Sequence, residues 1–554
     1  MNYLFKDITG ILIPSERRRF FISIILDVLV AVIDIATVAA LVFIIHFYTT
    51  PLASKPSFVP AWLLDRNDLT ALFLFLVFFA IKNFVAYRIS RAQYRFVYTV
   101  AARLSQKNLL HYLEGSYADY VTIDSSVHIK KISQQPVEFG HYVLWGAQQV
   151  IAQSILISIT VIAMLLFNAK LFVLLLLILL LPVILIAWFS KKVTAAAKQH
   201  IKTSSEQSLQ YLKEAISGFV ESKIYDRNDF FANRYITQQR QLNHWLSRLQ
   251  SLQAIPGRLI EVFIVFGFFA LLLASRWTGN GLAPSIVTIG AFMAAAYKII
   301  PGIVKILNSN AMLQTYGYTI DTLKNDTTIT VDRSTQQPTV ITGLEFRNVS
   351  FNYHDKKILD DFNCLLKKGD LAGVSGISGK GKTTLVNILL GFENVQEGKI
   401  LFNNNVTDSM HRKRYWPIIA YVKQQPFLIH DSIRNNITLG KEPVDAIRLS
   451  KVIDTAGLTD LLAQYPKGID TLVTENGKNI SGGQRQRIVL ARALYKYADL
   501  IILDEPFSEL DSASECKLLN HLKTLAQTGK IILLITHNNK SLSFCNRIIS
   551  LDEH

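Results

Sequence analysis

The sequence predicts a helical membrane bundle followed by an α/β domain, and two observations carry that prediction. The first three hundred or so residues hold apolar segments long enough to cross a bilayer, and the last two hundred alternate short apolar runs with glycine-rich turns. The 554 residues are too many for one domain, and 50% hydrophobic against 18% charged, with a mean hydropathy of +0.26, is a membrane-protein balance. A net charge of +16 is a level at which nucleic acid has to be considered as a partner. Its basic residues sit mainly beside the apolar segments, so membrane orientation explains them better and no nucleic-acid partner is expected. Cys364, Cys516 and Cys545 are odd in number and lack motif spacing, which points to reduced thiols facing the cytosol, each serving as a small buried apolar residue.

Residues 1–19 mix Tyr3, Leu4, Phe5, Ile8, Ile11 and Leu12 with Lys6 and Asp7 and end in Arg17-Arg18-Arg19, the pattern of an interfacial helix on the cytoplasmic surface. No small-residue cleavage site comes after it, which argues against a signal peptide. Residues 20–315 contain six predicted spans. The first runs from Phe20 to Tyr48 and carries Asp27 and Asp34 on one helical face; the second runs from about Asp68 to Ser90 and carries Lys82 and Arg88. These charges either neutralise one another or line a substrate path. Val143 to Phe167 and Leu171 to Phe189 make the third and fourth spans, joined by a tight outer turn at Asn168-Ala169-Lys170; Ile255 to Ser275 and Ser285 to about Leu307 complete the set. Outer loops are expected at 49–65 and at Gly279 to Pro284.

Loop charge sets the orientation. Segments 91–140 and 190–248 hold six and ten Lys plus Arg, against four in the three outer loops together: Lys55, Arg66, Lys170 and Arg276. Both termini and the long loops are therefore expected in the cytosol, with the loops as helical extensions of the spans. Residues 316–340, with the polar stretch Asp321 to Pro338, read as a linker, and residues 341–554 as the second domain.

In that domain Gly376 to Thr384 (GISGKGKTT) fits G-x-x-x-x-G-K-[ST]. Its glycines, Gly376, Gly379 and Gly381, let backbone N–H groups turn inward around phosphate oxygens, Lys382 adds a point charge, and the Thr383 hydroxyl suits Mg²⁺. Leu500 to Pro506 (LIILDEP) is an apolar strand ending in Asp504, placed to meet a metal, and Glu505, placed to meet water. Ser481-Gly482-Gly483-Gln484 comes about a hundred residues after the loop and opens an Arg-rich helical stretch.

The three motifs in this order resemble the ATP-binding cassette (ABC) ATPases, and six spans on the same chain resemble an exporter-type half-transporter. The resemblance implies a membrane α-helical bundle, six transmembrane helices with cytoplasmic extensions, fused to an α/β P-loop ABC ATPase domain. It implies ATP and Mg²⁺ as cofactors, with ATP on Gly376, Ser378, Gly379, Lys380, Gly381, Lys382, Thr383 and Thr384 and the adenine against Tyr353. Mg²⁺ would lie on Thr383, Gln424 and Asp504. Gln424 matches the family's Q-loop, with Lys423 where proline is usual; Ser508-Glu509-Leu510-Asp511 matches the D-loop; His537 matches the switch histidine, with Asn538 where arginine is usual. Glu505 would act as general base with His537 beside it. The family's short cytoplasmic tip helices correspond to Tyr117 to Lys130 and Glu214 to Tyr225, and its customary C-terminal extension is expected to be absent after His554.

Ser481, Gly482, Gly483 and Gln484 open a helix whose N-terminal amides favour anions, yet in this fold they lie far from their own phosphate loop, so they are expected to close on the ATP of a second copy or of a similar half-transporter. Such a dimer would export or flip an amphipathic substrate across the inner (plasma) membrane, in contact with membrane lipid and with its ATPase cytoplasmic. A lipid-linked saccharide or other lipid suits Lys82, Arg88, Arg258, Lys298 and Lys305, basic residues that could meet a phosphate. The alternatives are a peptide or small hydrophobic compound, in which Asp27 and Asp34 would matter more, and a membrane-anchored ATPase that transports nothing.

Overall fold

A computed structural model describes residues 2–49, 69–277, 286–324, 340–353, 356–377 and 379–552. The chain divides into two compact units, residues 1–115 with 119–331 and residues 116–118 with 332–554. The loop expected at 49–65, apart from its first residue, the turn at 279–284, most of the linker and Ser378 lie outside the described residues.

The first unit is helical. Its long helices are Pro14–Thr49, Thr70–Leu113, Trp145–Ser217, Asn228–Trp277 and Ile286–Tyr316. The 44 residues of Thr70–Leu113 would reach about 66 Å at 1.5 Å per residue, twice the hydrocarbon thickness of a bilayer, so this helix has length to spare outside the membrane. Among the described residues three segments, Pro14–Thr37, Thr70–Leu113 and Ser125–Leu166, are long and apolar enough to cross a membrane. Phe73, Leu76, Phe84 and Val265 stand well exposed on their helices, as lipid-facing residues do. The tight turn expected at Asn168–Lys170 does not interrupt the helical run, which continues through all 73 residues of Trp145–Ser217; neither Gly nor Pro stands there to stop it.

Short helices occur where the family resemblance implies them, Tyr117–Thr122 and Phe219–Ile224. Two π-helical turns, Lys130–Gln134 and Phe139–Leu144, flank the helical turn Gln135–Glu138. The first helix, Asn2–Ile11, does more than lie on a surface: Ile8 and Leu12 are buried in a cluster with Phe20, Ile320 and Leu323, and Asp7 pairs with Lys324 at 2.7 Å. Glu16 receives both Nε and Nη2 of Arg103, at 2.7 and 2.8 Å, which fixes the start of the second helix.

The two aspartates of the first span are both partnered. Asp34 pairs with Lys82 at 2.6 Å, the neutralisation that the sequence suggests. Asp27 instead accepts from two neutral amides, Gln93 Nε2 at 2.7 Å and Gln148 Nε2 at 2.9 Å, so three helices meet on one carboxylate. An intramembrane carboxylate without such donors costs several kcal/mol.

The second unit contains two sheets. An antiparallel sheet has the order β2-β1-β4-β5, with β1 Gly343–Tyr353, β2 Lys356–Lys367, β4 Glu397–Phe402 and β5 Asn405–Thr407. A parallel sheet has the order β6-β7-β8-β3-β9, with β3 Leu371–Ser375, β6 Ile419–Val422, β7 Leu500–Asp504, β8 Ile531–Ile535 and β9 Arg547–Ser550. The strands β7 and β8 are apolar at every position before the functional residues because both faces are covered. Leu500, Ile502, Ile531, Leu533 and Ile535 point into one core, and Ile501, Leu503, Ile532 and Leu534 into the other.

Lys82→Met leaves Asp34 as an unpaired carboxylate among helices and is expected to destabilise the detergent-purified chain by about 3 kcal/mol. Thermal unfolding should show a lower midpoint for the single variant and most of it regained in Lys82→Met with Asp34→Asn. A single variant as stable as the parent would show the pair to be idle.

Candidate functional site

The parallel sheet brings the chemistry together because β7, β8 and β3 are neighbours and all point the same way. Residues just beyond the carboxyl end of each strand therefore land at one edge of the sheet. After β3 comes the glycine loop, with Gly379 and Gly381 at φ 84° and 88°, the left-handed region that a side chain disfavours. Gly381 caps the helix Lys382–Leu390, whose first amides face the loop. Lys382 Nζ donates to the Gly376 carbonyl at 2.6 Å. Asp504 is the last residue of β7, and Glu505 comes directly after it with φ at 49°. After β8, His537 Nδ1 stands 2.8 Å from Glu505 Oε1.

Tyr353, Gly376, Gly379, Gly381, Lys382, Thr383, Thr384, Gln424, Asp504, Glu505 and His537 all line one cavity of about 710 Å³. Tyr353 is half-exposed at the end of β1, its ring edge-on to Phe351 and its hydroxyl 3.4 Å from Glu393 Oε1. Lys380 is exposed on the loop beside the cavity and is not part of its wall. Ser481 to Gln484 and Asp511 are also outside the wall. Ser481 caps the helix Gly482–Tyr495, its hydroxyl accepting from Gln484 N at 3.3 Å while Gln484 Oε1 accepts from Ser481 N at 2.9 Å. Asp511 caps the helix Ser512–Gln527, and the Ser514 amide, with its hydroxyl, holds the Asp511 carboxyl below the usual carboxylate range.

Asp504 and Glu505 are both buried, at 5% and 9% exposure. Burial, and next the Glu505 charge, push the Asp504 carboxyl up, against the opposing pull of Lys382 and, more weakly, of Lys423. Burial, followed by the Asp504 charge, likewise raises Tyr421, whose hydroxyl reaches Asp504. Tyr421 and the apolar Ile358, which lines the cavity, escape sequence reasoning because neither type carries a motif signal. Thr383, Gln424 and Asp504 put a hydroxyl, an amide and one carboxylate on the same cavity, an all-oxygen set that fits Mg²⁺ bound together with phosphate.

Residues 359–508 match the family model described as ABC transporter. The matched stretch contains the glycine loop, the turn Ser481 to Gln484 and the Asp504–Glu505 pair. A bacterial Atm1-family ABC exporter, solved with ATP bound, superposes with a TM-score of 0.75 at 20% identity, covering 98% of this chain and 94% of that one, so the two chains share a fold. The ATP-dependent lipid A-core flippases of Syntrophus aciditrophicus and Alkalilimnicola ehrlichii are 28% and 30% identical over 66% and 65% of this chain. These matches span 61% and 63%, about three fifths, of the flippases' own length. A putative export ATP-binding/permease protein of Rickettsia prowazekii is 34% identical over 38% of the chain and 37% of its own length.

The raised Asp504 carboxyl has a consequence for stability. A group that holds its proton more tightly when folded costs nothing below its unfolded value, and the cost grows as pH rises through the folded one. Asp504→Asn should therefore raise the melting midpoint of the nucleotide-free chain at pH 7.5 by a few degrees, with the gain vanishing near pH 4. A constant gain at both pH values would assign the effect to packing.

Proposed function

We propose that this chain is one half of a dimeric ATP-driven exporter that flips an amphipathic lipid, with a lipid-linked saccharide as the favoured class, across the inner membrane with its ATPase in the cytosol. The proposed plan is an N-terminal helix at 1–19, six apolar spans within 20–315, a linker at 316–340 and the ATPase at 341–554. The observation that carries the reading is the signature turn: Ser481 and the amides after it stand outside this chain's own cavity, so a second chain must bring its own turn to the open side of the bound ATP. A second copy of the chain satisfies that need, and so does a similar half-transporter. The names of the flippase relatives support a lipid substrate.

The chemistry is a matter of charge placement. The loop amides and the amino end of the helix Lys382–Leu390 cradle the phosphates, and Lys382 exchanges the Gly376 carbonyl for a phosphate oxygen. Thr383, Gln424 and Asp504 would hold Mg²⁺, which supplies neutralisation of the phosphate charge when bound. Glu505 takes the proton of the attacking water, a contribution of about 10² to 10⁴ in rate, and His537 orients its carboxylate from 2.8 Å. ATP thus joins two cassettes that hydrolysis separates, and the difference in binding drives the inward-facing and outward-facing states.

In proteoliposomes, flipping of a labelled lipid pyrophosphate saccharide should require ATP and be lost in Glu505→Gln, which still binds ATP. Stimulation of hydrolysis by peptides and not by the lipid would replace the lipid reading, and hydrolysis without any flipping or uptake would reject transport. Lys382→Ala mixed with Ser481→Arg should regain about one quarter to one half of the parent hydrolysis, because one of the two composite sites is then intact. Hydrolysis at parent rate by a monomer would overturn the shared site.

A further inference from the structure

The helix that opens at the signature turn carries a side chain that the functional reading leaves unused. Gln486 is only 3% exposed and lies on the helix Gly482–Tyr495, one turn in from Ser481. Its Nε2 donates to the backbone carbonyl of Glu505 at 3.0 Å and to Ser508 Oγ at 3.3 Å, and its Oε1 accepts from the backbone N–H of Glu509 at 2.9 Å. A main-chain carbonyl at one end and a main-chain N–H at the other fix the orientation of the amide. The Glu505 N–H, for its part, donates to the Ile535 carbonyl of β8 at 2.9 Å. Both main-chain groups of a residue held at φ 49° are thus tied, one to the sheet and the other to Gln486.

The same helix touches the segment after Glu505 in two more places. A Cβ on Gly483 would meet the Glu509 main-chain oxygen at 2.7 Å, so the two backbones are in direct contact. Arg487 Nη2 donates to Ser514 Oγ at 2.8 Å and to Asp511 Oδ2 at 3.2 Å.

We propose that Gln486 is a positioning residue for Glu505: its amide binds the signature helix to the turn that carries the general base, so that the two move as one piece. This rests on the reading of Glu505 as base and of Ser481 as a ligand to the partner's ATP. In the closed dimer, nucleotide held by one chain's signature turn then acts, through Gln486, on the water-activating carboxylate of that chain's own site. The two sites are coupled inside each cassette as well as across the interface.

The test uses the full-length dimer in nanodiscs with Gln486→Glu and Gln486→Met. The first keeps the shape and the acceptor toward Glu509 but loses the donor to Glu505; the second loses both. Each is expected to lower kcat for ATP at least tenfold while fluorescent-ATP affinity and KM stay within threefold of the parent, and to lower the Hill coefficient for ATP toward one. Loss of ATP binding together with hydrolysis, in the near-isosteric Gln486→Glu, would make the role structural and overturn the proposal, as would parent kcat and parent cooperativity. Glu505→Gln measured alongside separates the two readings. If it hydrolyses at the parent rate, the base assignment fails; if it is inactive while both Gln486 variants hydrolyse normally, only the positioning role does.

Discussion

The arrangement depends on one constraint, that three parallel strands buried on both faces end side by side. Because β3, β8 and β7 are consecutive neighbours, the glycine loop, His537 and the carboxylate pair Asp504–Glu505 are delivered within one cavity without any long-range positioning by loops. The apolar runs LIILD and IILLI are therefore functional in a plain physical sense. Two cores, one on each face of the sheet, clamp the strand directions, and a polar residue within either run would lose that clamp before it touched the chemistry.

Much of the cavity was legible because its motifs are local. A glycine loop and a strand tipped by two carboxylates each announce themselves within ten residues, His537 is found only through its match to a family motif, and the structure brings all three together. Asp27 shows where such reading ends. Its partners are Gln93 and Gln148, neutral residues 66 and 121 positions away, and nothing in hydropathy distinguishes a glutamine that holds a carboxylate from one that faces water. The basic partner at Lys82 was readable because an ammonium in hydrocarbon demands an anion. The first helix illustrates a different limit. Periodicity finds an apolar face, but it cannot say whether lipid or protein covers Ile8 and Leu12; here protein does.

Departures from the family pattern also acquire local reasons. Asn538, where arginine is usual, caps the short helix Asn539–Leu542 by accepting from Lys540 N at 3.0 Å and donates to Glu515 at 3.1 Å. A short amide suits a cap as a long guanidinium does not. Lys423, where proline is usual, gives up backbone stiffness but adds a cation that acts on Asp504. The loss is conformational and the gain is electrostatic, and both fall next to Gln424 in the cavity wall.

Glu505 concentrates the strain of the site. It is a non-glycine residue at φ 49°, a conformation costing on the order of 1 kcal/mol, and its carboxylate stands buried beside that of Asp504. Neither feature would survive in a sequence selected for stability alone. The residue is held by three contacts: Ile535 on β8 takes its N–H, Gln486 on the signature helix binds its carbonyl, and His537, just after β8, meets its carboxylate. A strained residue suspended between three contacts responds to a small displacement of any of them, because the conformation is over-determined only while all three are made. The Glu505 carboxylate is thereby set by the sheet, the helix Gly482–Tyr495 and His537 together, and by no one of them alone.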